Sequence, residues 1–161
     1  MKHTLVLALT LLATPAAAQD LVFDGSRIAA CYSNVFGNEA RACIGAEAER
    51  CMTETPGGTS TAGMSGCLSL EHDWWDARLN AVYAEVRAAA RDMDATAGEY
   101  APSQADALVA MQRAWIAFRD ERCAYERSWW GGGTGGGPAT MACLMQMTAE
   151  QVIYLEGVGL F

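Results

Sequence analysis

The sequence predicts an all-α fold: a small, disulfide-linked, antiparallel bundle of four to five helices. Three observations carry this. Apolar residues recur at spacings of three, four and seven over two long stretches, residues 67–93 and 103–130, the period that gathers side chains on one face of a helix. Nothing alternates at period two over a useful length, so no sheet is expected. Six cysteines flank the breaks between helical stretches, where bridges would join neighbours.

Taken in order, residues 1–18 read as a secretory leader. Lys2 gives a basic start, residues 5–12 an apolar run, and Ala16, Ala17 and Ala18 a small-residue cleavage signal, with the cut expected after Ala18. The run is short of the roughly 20 residues that span a bilayer. No cysteine follows it directly, so no membrane anchor is expected. The other 143 of 161 residues suit a single exported domain with a core, periplasmic or secreted.

Residues 24–36, with Ile28, Cys31, Tyr32 and Val35, form a short amphipathic helix that Gly37 ends. Asn38 caps a second helix, 39 to about 54, with Glu39 in its first turn. It carries Cys43, Ile44, Glu47 and Cys51, and Pro56, Gly57 and Gly58 stop it. Residues 59–65 read as a loop. The first long helix lines up Leu68, Trp75, Leu79, Val82, Val86, Ala89 and Met93, then fades where Gly98 and Pro102 break the pattern. Ser103, with Asp106 three residues on, opens the second, whose stripe is Leu108, Met111, Trp115, Phe118 and Tyr125. A short polar connection between them predicts an antiparallel hairpin. Residues 131–137 are a glycine-rich, flexible break. Pro138 suits the first turn of a final helix bearing Met141, Leu144, Met145, Val152 and Leu155.

Six cysteines allow fifteen connectivities. Geometry favours local pairs: Cys31 with Cys43 about the turn at Phe36, Gly37 and Asn38, Cys51 with Cys67 about residues 55–65, and Cys123 with Cys143 about residues 131–137. Each would contribute about 2–4 kcal/mol. There is no Cys-x-x-Cys pair, which sets aside a redox motif or zinc ribbon. Lys2 is the only lysine; past the leader, ten arginines face nineteen acids, a net charge of −9. So acidic a surface repels nucleic acid and suits a basic protein partner, although solubility alone also explains it.

Few residues invite chemistry. His72, beside Glu71 and Asp73 with Asp76 a turn away, suggests a general base or a metal ligand. With no second histidine past the leader and no Gly-x-Ser-x-Gly, a solvated helix face is preferred. Acidic pairs such as Glu71 with Asp76, or Asp120 with Glu121, lack the cleft a glycosidase needs. Arg87 and Arg91 near Asp94, and Arg122 near Glu126, read as surface ion pairs. Met141, Met145 and Met147 read as core rather than as a copper site. The glycine stretch lacks the Lys-Ser/Thr ending of a phosphate loop. No metal, cofactor or catalytic residue is expected. Trp129 and Trp130, before the glycines, fit a binding hot spot and a core role equally well. Asp76, Asn80, Arg119 and Asp120 are placed to form a polar network tying the two long helices.

The ordered series Cys67, Glu71, Trp75, Asp76, Leu79, Asn80 and Tyr83, then Gln112, Trp115, Phe118, Arg119, Asp120 and Cys123, then Gly131, Gly132, Gly133, Thr134, Cys143 and Thr148, resembles the LprI-type lysozyme-inhibitor family. The resemblance covers residues 51–155. Residues 19–50, with Cys31 and Cys43, resemble an extension found in a subset of members. It implies an all-helical, disulfide-linked, exported protein that inhibits lysozyme, a strongly basic enzyme. Inhibition would be steric and electrostatic, with Trp129, Trp130, Gly131, Gly132 and Gly133 at the contact. The alternatives are an envelope structural or stress-related module without that activity, and a cryptic hydrolase or metal binder around His72. The sequence sets no oligomeric state.

Overall fold

A computed structural model of the chain describes residues 20–35 and 37–158; the expected leader and Phe36 lie outside them. The elements are α1 (Gly25–Tyr32), a 3₁₀ segment (Gly37–Cys43), α2 (Ala46–Glu54), α3 (Thr61–Thr96), α4 (Gln104–Ser128) and α5 (Gly136–Val158). No strand occurs among the described residues. The three disulfides join Cys31 to Cys43, Cys51 to Cys67 and Cys123 to Cys143, the local pairing.

The expected hairpin of α3 and α4 forms, but the most extensive packing is between α3 and α5. Leu68, Trp75, Leu79 and Val82 of α3 meet Met145, Ala149, Val152 and Leu155 of α5 in one core, closed by Ile28 of α1 and Ala48 of α2. Two successive antiparallel turns leave α3 and α5 running the same way. Trp75, fully buried, is the largest side chain in this core. Tyr32 and Trp74 pack edge-on against it at centroid distances of 5.1 and 4.8 Å.

α3 begins at Thr61, inside the stretch read as a loop. Thr61, Ala62, Gly63 and Gly66 give no apolar period, yet small residues are what this turn requires. A Cβ at Gly63 would lie 2.5 Å from the Gly57 carbonyl oxygen, and one at Gly66 2.6 Å from Leu21. The Ser60 hydroxyl caps the turn, accepting from Gly63 N at 3.1 Å.

The second expected helix is split. Residues 37–43 wind as 3₁₀, and Gly45, at φ 84°, turns the chain before α2 starts. That left-handed conformation suits glycine and leaves α2 without a side-chain cap of its own. The missing cap comes from α3. Glu71, wholly buried, accepts from Gly45 N at 2.6 Å, Ala48 N at 2.7 Å and the Trp75 indole N–H at 3.0 Å. A buried carboxylate thus meets the positive end of a helix with its donors satisfied. Residue type and the neighbouring His72 predict a solvated face for Glu71, and the three donors overturn that expectation. His72 is not on a solvated face either: it is half-buried, its Nδ1 lies 3.4 Å from Asp73, and its Nε2 is buried without a hydrogen-bond partner among the described residues.

Asp94 likewise serves a neighbouring helix. Its carboxylate accepts from Ala105 N at 3.0 Å, Gln104 N at 2.7 Å and the Ser103 hydroxyl at 2.8 Å, fixing the start of α4. It forms no ion pair with Arg87 or Arg91, contrary to expectation; the Arg122–Glu126 pair does form, at 3.0 Å. The Ala105 and Gln104 amides, then Ser103, hold the Asp94 carboxyl below its ordinary 3.8. A carboxyl lowered on folding favours the folded state above its unfolded pKa, and that contribution fades as pH falls through the native value. Asp94→Ala is therefore expected to lower the urea midpoint at neutral pH. Its gap from the parent chain should close as pH falls below 3.8. A gap as wide at about pH 2.5 as at about pH 7 would show that the carboxylate charge does not hold α4.

Candidate functional site

α4 is amphipathic, but its inward face is turned from the one its apolar residues define. Leu108, Gln112, Trp115, Arg119, Cys123 and Glu126 follow spacings of four, three, four, four and three, and all are buried or half-buried. Cys123 must face α5 because it is bonded to Cys143. Gln112 also faces it, accepting from the Gln151 amide at 2.9 Å. The apolar stripe is covered only in its first part, at Leu108, Met111 and Trp115. Phe118 and Tyr125, expected in the core, are instead 60% and 65% exposed. On α3, Ala89 and Met93 are likewise exposed, beyond the reach of the core.

The outward aromatics continue into the turn after α4. Trp129 is 67% and Trp130 53% exposed, so neither is core. Tyr125 and Trp129 meet edge to face at 5.3 Å. Phe118, Tyr125 and Trp129, seven and four residues apart, form one ridge. Trp129 and Trp130 both line a cleft of about 460 Å³ between α4 and α5, with Arg122, Glu126 and Gln146 as its polar residues.

The glycines hold this corner in place as a run of hydrogen-bonded turns, rather than an open tether. Gly131 N donates to Ser128 O at 3.1 Å, Gly133 N to Trp130 O at 2.9 Å and Gly136 N to Gly133 O at 3.2 Å. Gly131, at φ 55°, reverses the chain after the helix. Gly135 lies under the Trp130 ring, where a Cβ would come within 2.3 Å of a ring carbon. With the disulfide bridging the helices on either side, the two tryptophans stand on a braced platform. Gly131, Gly132 and Gly133 are exposed beside them.

Asp76, Asn80, Arg119 and Asp120 do not come together. Asn80 donates to Asp76 at 3.1 Å within α3, while Arg119 donates to Asp120 at 2.9 Å within α4 and lies 5.1 Å from the Trp115 ring. Polar ties between elements are made instead by Glu71, by Asp94, by the glutamine pair, and by Arg78 and Arg41 of earlier elements with Glu156 and Glu150 of α5. Glu71, held by its three donors, does not pair with Asp76. Among the described residues no cluster of three or more His, Cys, Asp or Glu side chains is arranged to hold a metal, and no helix is long and apolar enough to cross a membrane. Met145 and Met147 are buried, with Met147 Sδ 3.9 Å from Cys123 Sγ.

The chain is similar to the "Uncharacterized 17.7 kDa protein in puhA 5'region" of Rhodobacter capsulatus, 30% identical over 129 residues that span 75% of this chain and 76% of that protein. No solved structure matches it. Three disulfides accord with an oxidising compartment outside the cytoplasm. Residues 51–155, from the cysteine of α2 to the last core leucine of α5, match the family model described as "Lysozyme inhibitor LprI", and the chain belongs to the LprI family.

Proposed function

We propose that this chain is an exported, non-enzymatic inhibitor of lysozyme or a related cell-wall hydrolase, released to the periplasm or beyond by cleavage after Ala18. The observation that carries the reading is the aromatic ridge of Phe118, Tyr125, Trp129 and Trp130 on a braced corner of an acidic protein. Large, rigid aromatics supply most of the energy in protein interfaces, and here their ordering cost is prepaid by the disulfide and the turns. Glu121, exposed, lies beside the ridge on α4. Asp120, also exposed, adds acidity to the same helix, and the surplus of acids over arginines would speed encounter with a basic enzyme. Blocking is steric: the ridge covers the rim of the cleft, and no group on the inhibitor takes part in chemistry.

Purified mature protein is expected to suppress lysis of a cell-wall substrate by at least one lysozyme type, less effectively as salt rises. Trp129→Ala with Trp130→Ala is expected to raise the inhibition constant by about tenfold or more, with an unchanged circular dichroism spectrum. Absence of inhibition of every lysozyme type at micromolar excess would remove the reading and leave an envelope structural module in its place.

A further inference from the structure

We infer that the cleft between α3 and α4, on the side away from the tryptophan corner, is a binding site for a small oxyanion-bearing ligand. The cleft measures about 270 Å³, and Arg87 and Arg113 enter it from opposite helices. Arg27, Arg41, Arg50, Arg78, Arg119 and Arg122 all form ion pairs. Among the described residues Arg87 and Arg113 form none, as is also true of Arg91 and Arg127, but only Arg87 and Arg113 share a cleft. The Arg87 Nε is moreover buried without a hydrogen-bond partner among the described residues. In a chain with nearly twice as many acids as arginines, two guanidinium groups sharing one cleft without a carboxylate is a specific arrangement. Like charges held together repel, and an unsatisfied buried donor on a charged group is costly. A carboxylate or phosphate group answers both at once, because its oxygens match the guanidinium fork.

Asp76, one turn from the cleft residue Asn80, does not do this work: it is engaged by the Asn80 amide at 3.1 Å and pairs with neither arginine. Asp94, which sequence spacing offered as a partner to Arg87, is committed to the start of α4. Asn80 and Gln112 add amide groups to the lining, and Tyr83, Val109 and Ile116 supply its apolar walls, so the cleft also accommodates a short apolar body behind the anionic group. The site lies outside the proposed docking ridge and stands whether or not lysozyme is inhibited.

Titration of the ¹⁵N-labelled full-length mature chain with sodium benzoate and, separately, inorganic phosphate tests this against sodium chloride at equal ionic strength. Saturable shifts confined to residues 80–87 and 109–116 are expected with at least one of the two. Benzoate preference assigns the oxyanion to an apolar carboxylate, and phosphate preference to a phosphoryl group. Arg113→Gln, at an exposed position and therefore compatible with folding, should weaken the apparent Kd by about tenfold. Arg91→Gln, which removes the same charge outside the cleft, should change it less than about twofold. Lack of a saturable response to either anion, or equal weakening in the two variants, overturns the site.

Discussion

Glu71→Ala is expected to destabilise the oxidised protein by about 3–5 kcal/mol, the range for removing one partner from a buried charged contact. The carboxylate is wholly buried, and its removal orphans Gly45 N, Ala48 N and the Trp75 indole N–H together. Gly45 stands where α2 lacks a side-chain cap of its own, and Ala48 and the Trp75 indole are sealed in the core. Against a total stability of about 5–15 kcal/mol for a domain, that loss is large. Glu71→Gln should fall between, because one amide oxygen still accepts while the NH₂ faces a donor. Urea midpoints of the three proteins, with disulfides intact, measure the series. A Glu71→Ala midpoint within about 1 kcal/mol of the parent would mean that α2 is held by packing and the Cys51–Cys67 bridge, not by this cap.

Glu71 also marks the limit of what the sequence reveals. Apolar periodicity was sufficient to locate α3, α4 and α5 as helices, and on α3 it also gave the buried face from Leu68 to Val82. Cysteine placement was sufficient for the disulfides, because each pair flanks one connection. Those rules say nothing about a charged residue whose partners are backbone amides 23 and 26 residues away in sequence. They place Glu71 on the surface by its type alone. Small-residue packing is equally silent: Gly63 and Gly66 carry no hydrophobic signal, yet they let α3 start at Thr61. On α4 the apolar residues alone pointed to the wrong face. Counting Cys123 as a core-facing position would have turned the stripe onto Gln112, Arg119 and Glu126, and left Phe118 and Tyr125 outside. Exposure of Trp129 and Trp130 was undecidable from sequence, since tryptophan serves cores and interfaces alike.

That polar inward face makes α4 depend on its covalent bond. Replacing Cys123 and Cys143 together with Ala is expected to cost about 3 kcal/mol, the chain-entropy value for a separation of 20 residues. The loss should be felt locally. Between α3 and α5 a continuous apolar core resists opening, whereas the second half of α4 contributes only Cys123 to the small cluster with Cys143 and Met147. Upstream, the contact between Gln112 and Gln151 still fastens the first half. Amide hydrogen exchange at residues 119–128 should therefore accelerate far more than at residues 75–82, because opening there no longer requires global unfolding. Replacing Cys31 and Cys43 with Ala, a bridge at the far end of the chain, supplies the contrast and should leave exchange in α4 close to that of the parent. Uniform acceleration along α3, α4 and α5 in the first variant would contradict this account, since α4 would then be anchored by the same cooperative core as its neighbours. With α4 loosened at its end, the platform under Trp129 and Trp130 loses its brace, so inhibition by this variant should weaken even at temperatures where the α3–α5 core stays folded.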